Sequence, residues 1–233
     1  LMVNAGVNPY LAMLICLGMG ALFGLLNGLL VTGLNLNSLV VTIGTQGIFH
    51  GVNLVISKGR AITGIPRSIN YLGQGSLFGV LPLPFAIMLA VLAIVWLLTK
   101  YTPFGRNMYA VGNSAQAARI LGVRVNRVRT LVFMLSGTLA ALAGMLMLAR
   151  LGSAQPSIGE TWVLNSIAAS VIGGVSTTGG VGSPAGALLG AAMIGVIENL
   201  IVLVGISPYW QTAVSGIIVV GAIALDSISR MRA

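Results

Sequence analysis

Pro184–Val204 reads PAGALLGAAMIGVIENLIVLV: no lysine, no arginine and a single acid, Glu198. As a helix this stretch rises about 31 Å, enough to cross the hydrocarbon core of a bilayer. Ser183 offers an N-cap and Pro184 suits the first helical position. Gly182, Gly186 and Gly190 recur every four residues, as do Ala187, Ala191 and Gly195. Both series are small-xxx-small seams of the kind that let membrane helices pack closely. Glu198 lies eleven residues after Ala187, about 20° away on a helical wheel. That puts it on the Ala187/Ala191/Gly195 face, toward protein. A carboxylate inside a span is costly and is normally functional or paired. With Asn199 beside it, two roles stay open: a pathway or interface group, or a structural hydrogen-bond clamp near the outer membrane face.

Similar runs recur outward from this one: about 8–30, 38–56, 83–99 and 130–150, a short one at 161–173, and a last one at 209–227. The expected fold is an all-α integral membrane protein, a polytopic bundle of about seven spans. Composition agrees: 57% of the 233 residues are hydrophobic and 6% are charged, against about 25% charged in soluble domains. This excludes a soluble globular protein, a disordered chain and a nucleic-acid binder. The net charge of +9 reflects a shortage of acids. One cysteine (Cys16), one histidine (His50) and three acids leave no intrachain disulfide and make a metal or acid–base centre improbable.

The loops orient the bundle. The stretch 100–129 holds six basic residues (Lys100, Arg106, Arg119, Arg124, Arg127, Arg129) and no acid, and the tail adds Arg230 and Arg232. The positive-inside rule places both in the cytoplasm. Lys58, Arg60, Arg67 and Arg150 fall on the other side. Four segments separate loop 100–129 from the tail, and this parity requires the short segment 161–173 to cross. Thirteen residues rise only about 20 Å, so the glycine-rich run 173–182 must cover the remaining depth, inside protein rather than against lipid. Counting backwards, the N-terminus faces outward, so an odd number of helices is expected upstream.

Within the cytoplasmic loop, 105–123 reads GRNMYAVGNSAQAARILGV. Asn113 as N-cap with Gln116 three residues later forms a capping box, the alanines favour helix, and Gly122 is a natural stop. The expectation is a two-turn helix, 114–121, about 12 Å long. Such a helix either docks into a partner's groove or merely connects two spans. Arg124, Arg127 and Arg129 serve as topology signals and contacts to anionic lipid. The run 164–184 is either a pathway element or a packed hairpin connector. It is no phosphate loop, because Gly-Lys occurs nowhere in the chain. Gln46, Asn53, Asn165 and Gln211 are neutral polar groups in apolar spans, suited to a sugar pathway but equally to helix–helix glue. His50 reads as a satisfied core histidine rather than a proton relay. Asp226 can pair with Arg230. Trp96, Trp162, Trp210, Tyr10, Tyr101 and Tyr209 read as an aromatic belt.

The loop 105–123 resembles the cytoplasmic signature of bacterial ABC-importer permeases of the ribose/xylose type. Further similarity follows in order: Phe133 with SGTLAALAG at 136–144, Ser153-Ala154-Gln155-Pro156 with Gly159, IAASVIGGVSTTGGVG at 167–182, and Gly190, Glu198-Asn199, Gly205-Ile206-Ser207, Tyr209 and Gln211. Together these cover about residues 20–228. The resemblance implies one transmembrane permease domain over 1–233, with a coupling loop at 100–129, in a family of about ten spans whose upstream helices are absent here. It implies a non-catalytic subunit of the inner membrane that pairs with a second permease subunit and contacts membrane lipid. It further implies cytoplasmic ATP-binding subunits, which carry the ATP and magnesium, and a periplasmic sugar-binding protein. The short loop helix becomes the coupling helix, with Gly112, Asn113, Ser114, Ala117, Ala118, Arg119 and Gly122 as ATPase-coupling residues. Candidate pathway residues are Gln46, Asn53, Asn165, Gly173, Gly174, Glu198, Asn199 and Gln211. The family's usual Asn-Asn pair stands here as Glu198-Asn199, and its upstream Gly-Ile-Asp-Leu-Ser-x-Gly-type stretch is missing. The expected cargo is a ribose- or xylose-like monosaccharide. Rival readings are an autoinducer-type furanose, a nucleoside or a branched-chain amino acid in the same fold, an ion-coupled secondary transporter, or a membrane scaffold. An ion-coupled carrier needs carboxylates and inverted repeats, and only Glu198 is available within a span.

Overall fold

The computed structural model describes residues 7–77, 79–205 and, beyond these, 210, 213, 214, 216, 217, 220 and 221. The expected last span, with Gln211 and the Asp226–Arg230 pair, lies largely or wholly outside the described residues. In chain order the elements are α1 (Pro9–Gly33), α2 (Ser38–Ser57), α3 (Arg67–Gln74), β1 (Ser76–Leu77), β2 (Leu81–Pro82), α4 (Leu83–Tyr101), α5 (Pro103–Asn113), α6 (Ala115–Ile120), α7 (Val125–Leu151), α8 (Trp162–Ile172) and α9 (Pro184–Leu203). Among the described residues, five helices are long and apolar enough to cross a membrane: α1, α2, α4, α7 and α9. The shorter apolar helix is α8. The fold is all-α and polytopic.

Two compact units are present: Leu1–Val91 with Arg124–Ile158, and Leu92–Val123 with Gly159–Ala233. In the first, Asn8 and Asn37 cap α1 and α2 by accepting from the backbone amides of Tyr10 (3.0 Å) and Leu39 (2.9 Å). The main packing event is α1 against α7. Gly20, Gly24 and Gly28 recur every four residues and meet the α7 backbone at Gly137, Phe133 and Thr130 respectively. The absence of three side chains brings the two backbones into contact, so dispersion rather than hydrophobic transfer holds them. Thr32 Oγ1 donates to the Gly28 carbonyl at 2.7 Å and lies 3.3 Å from Thr130 Oγ1. Phe23 and Phe49 join α1 to α2 with ring centroids 4.5 Å apart.

The stretch between the spans expected at 38–56 and 83–99 contains a helix and a short hairpin. Its helix α3 packs on the end of α7: Gly73 abuts the Ala149–Arg150 backbone, Gln74 Nε2 donates to the Arg150 carbonyl at 3.0 Å, and Ile69 is buried. Ile62 and Ala154 exchange two backbone hydrogen bonds, of 2.8 and 2.9 Å. β1 and β2 form a two-residue antiparallel hairpin.

In the second unit, α8 and α9 pack through a second glycine contact. Gly190 lies on the Ala169 carbonyl, and Gly173 and Gly186 lie on each other. Ala168, Ala169 and Ile194 form the buried cluster, with Ile172 against it. Ser183 caps α9 as expected, accepting from the Gly186 amide at 3.0 Å. Of the two seams read in this helix, only Gly186/Gly190 is packed within the described residues. Ala191 and Gly195 are exposed, and nothing approaches Gly195. Glu198 therefore sits at the edge of the Gly190/Ile194/Ile201 face rather than in the middle of an Ala187/Ala191/Gly195 face.

Candidate functional site

Two places in the second unit gather the residues singled out above. The first is the segment 102–123. Thr102 caps α5, its hydroxyl accepting from the Gly105 amide (3.2 Å) and donating to the Leu98 carbonyl (2.6 Å), and Pro103 takes the first helical position. The chain 103–113 is thus a helix, where the sequence suggested only loop. Its two glycines answer to packing: Gly105 abuts the Thr99 backbone and Gly112 abuts Gly180. At the preceding helix end, Lys100 Nζ stands 4.7 Å above the Trp96 ring, and Tyr101 meets Trp96 edge-on at 5.7 Å.

The expected short helix exists as α6, but its N-cap is Ser114 rather than Asn113. Ser114 Oγ accepts from the Ala117 amide at 3.2 Å. Asn113 is instead the last residue of α5, whose C-cap is the same Ser114. Six residues rise about 9 Å, not 12 Å. The stop is as expected. Gly122 has φ +80° and donates to the Arg119 carbonyl at 3.0 Å, while Val123 donates to Ala118 at 2.9 Å. Only glycine adopts that dihedral without strain.

The side chains of α6 sort unevenly. Ala118 is 2% exposed and faces the protein, so it supports the helix and leaves no contact surface for a partner. Asn113, Ser114, Ala117, Arg119 and Gly122 are exposed, and Gly112 is half-buried. Ile120 and Leu121 were not among the expected coupling residues, yet they are 82% and 79% exposed. Two adjacent large apolar side chains beside a polar loop form a knob that is exposed among the described residues. The sequence signal was present: Ile-Leu directly before a helix-stopping glycine.

The second place is the α8–α9 hairpin. Asn165 Nδ2 donates to Glu198 Oε1 at 2.6 Å, joining two expected pathway residues across the helix pair. A hydrogen bond between the two helices is the contact that the clamp alternative requires. The turn between the helices is ordered by Val175 donating to the Ser170 carbonyl and Ser176 to the Val181 carbonyl, both 2.9 Å. Gly173 is at the close helix contact, and Gly174 is exposed with φ +78°. Asn199 is exposed. Gln46 and Asn53 belong to the first unit. Seven residues apart, they share one face of α2, and both are exposed.

A family model described as "branched-chain amino acid transport system / permease component" matches residues 1–223. The chain belongs to this permease family. It is a multi-pass protein of the inner (plasma) membrane. Named relatives are permeases too. The chain is 40% identical over 227 residues to the ribose import permease of Bacillus subtilis (strain 168), covering 97% of this chain and 70% of that one. It is 42% identical over 207 residues to the autoinducer 2 import system permease of Klebsiella pneumoniae, covering 89% and 60%. The same permease of Enterobacter sp. (strain 638) is 40% identical over 223 residues, covering 96% and 65%. The chain thus spans between 60% and 70% of the length of these relatives. No solved structure matches it.

Proposed function

We propose that this chain is the membrane permease subunit of an ATP-driven importer for a ribose-like monosaccharide. The observation that carries the reading is α6. It is a short helix capped by Ser114, stopped by Gly122 and backed by buried Ala118, and it leaves Ile120 and Leu121 exposed. A cytoplasmic ATP-binding subunit, which holds the ATP and magnesium, takes this knob into an apolar groove. A second permease subunit completes the pathway, and a periplasmic sugar-binding protein delivers the cargo. ATP-driven closure of the ATPase pair draws two coupling helices together and switches the bundle between inward- and outward-facing states. On this reading the cofactor and the catalytic groups belong to the ATP-binding subunit and not to this chain.

The cargo assignment is supported by the relatives' names and by the near absence of charge in the spans. Glu198 is the one acid in the described spans, and Asn165 already engages it. Neutral amides suit a polyhydroxylated, uncharged solute.

Reconstitution with the ATP-binding subunit into vesicles tests the reading. Ala117→Asp adds a charge on the exposed face of α6. Gly122→Pro demands a φ near −65° where +80° is required. Both changes are expected to abolish ATPase co-purification and ATP-dependent ribose uptake. Retention of both activities in both variants refutes the coupling assignment. Uptake of autoinducer 2 but not ribose would move the cargo to the second reading.

A further inference from the structure

The C-terminal turn of α5 has contacts that a mere connector does not need. A Cβ on Gly112 would lie 2.5 Å from the Gly180 nitrogen and 3.1 Å from its Cα. A Cβ on Gly180 would lie 2.7 Å from Asn113 Cα, and one on Gly179 would lie 3.0 Å from the Gly112 carbonyl oxygen. The α5 backbone and the turn between α8 and α9 therefore touch with no side chain between them. Close-packed atoms of this kind transmit displacement instead of absorbing it. One turn earlier, Tyr109 Oη donates to the Gly182 carbonyl at 2.9 Å, immediately before the Ser183 cap of α9. The other end of the linkage is equally short. Ser114 closes α5 and opens α6, so no flexible residue separates the exposed knob from Gly112. On the far side of the turn, Gly173 and Gly186 lock α8 to α9.

We propose that Tyr109 and Gly112 form the joint that carries displacement of α6 to the α8–α9 hairpin. This inference rests on the reading of α6 as the ATPase contact. Movement at Ile120 and Leu121 is carried by α5 into the backbone at Gly179–Gly180. The Tyr109–Gly182 hydrogen bond makes the linkage act in tension as well as compression. Tyr109 and Gly112 are positioning residues: neither touches ATP or cargo. Disturbing them should separate hydrolysis from transport, and substitution of Tyr109, which is not among the expected ATPase contacts, should do so with assembly intact.

The test uses the permease reconstituted with its ATP-binding subunits and sugar-binding protein. Three quantities are measured together: ATPase co-purification, stimulation of ATP hydrolysis by loaded binding protein, and ribose taken up per ATP hydrolysed. Gly112→Ala inserts a methyl into the joint, and Tyr109→Phe removes one hydroxyl while keeping the ring. For both, uptake per ATP should fall by about 2- to 30-fold, the range expected for residues along a coupling network, with Gly112→Ala the larger, while in Tyr109→Phe co-purification should match wild type. Gly195→Ala, where the added methyl meets nothing among the described residues, should behave as wild type. Tyr109→Phe and Gly112→Ala with unchanged uptake per ATP would overturn the joint. So would loss of co-purification in parallel with uptake in Tyr109→Phe, since that is a folding or docking defect. A wild-type chain that never co-purifies with the ATPase overturns the functional reading itself, a result distinct from either.

Discussion

Replacing Gly24 by alanine adds one methyl group to α1 where it crosses α7. That methyl would overlap the Phe133 carbonyl oxygen and lie 2.9 Å from both Phe133 C and Met134 Cα. Carbon atoms pack best at about 3.5–4.0 Å, so the helices must separate by at least about 0.6 Å. The flanking contacts at Gly20 and Gly28 depend on the same approach and loosen with it. Overpacking of this kind costs about 1–3 kcal/mol. Gly18→Ala makes the same chemical change in the same helix where nothing lies within 4 Å, so differences in helix propensity cancel between the two variants. The difference in unfolding free energy should be about 1–3 kcal/mol, or about 5- to 160-fold in the equilibrium constant. Purified protein in mixed micelles, unfolded by rising SDS fraction and followed by tryptophan fluorescence, reads this directly. If Gly24→Ala and Gly18→Ala unfold at the same SDS fraction, the backbone contact does not hold these helices together and the reasoning fails.

Three further outcomes are expected. Ser114→Ala removes the acceptor for the Ala117 amide, a cap worth about 1 kcal/mol. Amide exchange at Ala117 should accelerate with α7 unchanged, and equal exchange in both proteins would refute the cap. Asn165→Ala leaves the half-buried Glu198 carboxylate without its donor and should lower stability by about 1–3 kcal/mol, whereas Glu198→Gln keeps a hydrogen-bonding side chain there and should lower it less. If the pair is a clamp, ribose uptake follows stability, and a stable Glu198→Gln that has lost uptake places the group in the pathway instead. Gly190→Ala drives a methyl onto the Ala169 carbonyl and Gly195→Ala meets open space, so only the former should lower the thermal midpoint in detergent.

The spans were legible because their signal is crude: long apolar runs with few charges leave no other fold. α2 and α9 begin at the expected residues, and α9 does so because Ser183-Pro184 fixes its start. Boundaries failed where a helix leaves the apolar zone. α7 starts at Val125, not Thr130, since Val125 and Val128 are buried while Arg127 and Arg129 point out, a pattern that averages to loop. α5 and α3 are short and polar on one face, and their stability comes from backbone contacts that no local pattern announces. The α1 seam was readable: Gly20, Gly24 and Gly28 have the same spacing as Gly182, Gly186 and Gly190. The Ala187/Ala191/Gly195 seam shows the converse, that spacing states which contact is sterically allowed and not which is made. At the candidate site, sequence located the short helix but shifted its cap by one residue. Both Asn113 and Ser114 are good caps, and only the continuation of α5 through Asn113 decides between them.

That shared cap has an evolutionary side. Because Ser114 ends one helix and begins the next, nothing at this corner can absorb a change in chain length. One residue inserted between Asn113 and Ala115 would turn the Ile120–Leu121 knob by about 100° relative to α5. Residue types around the corner can drift, but insertions and deletions there would scramble the direction in which the knob points. Genuine family members should therefore vary freely in loop length elsewhere and keep a fixed count of residues from Gly112 to Gly122.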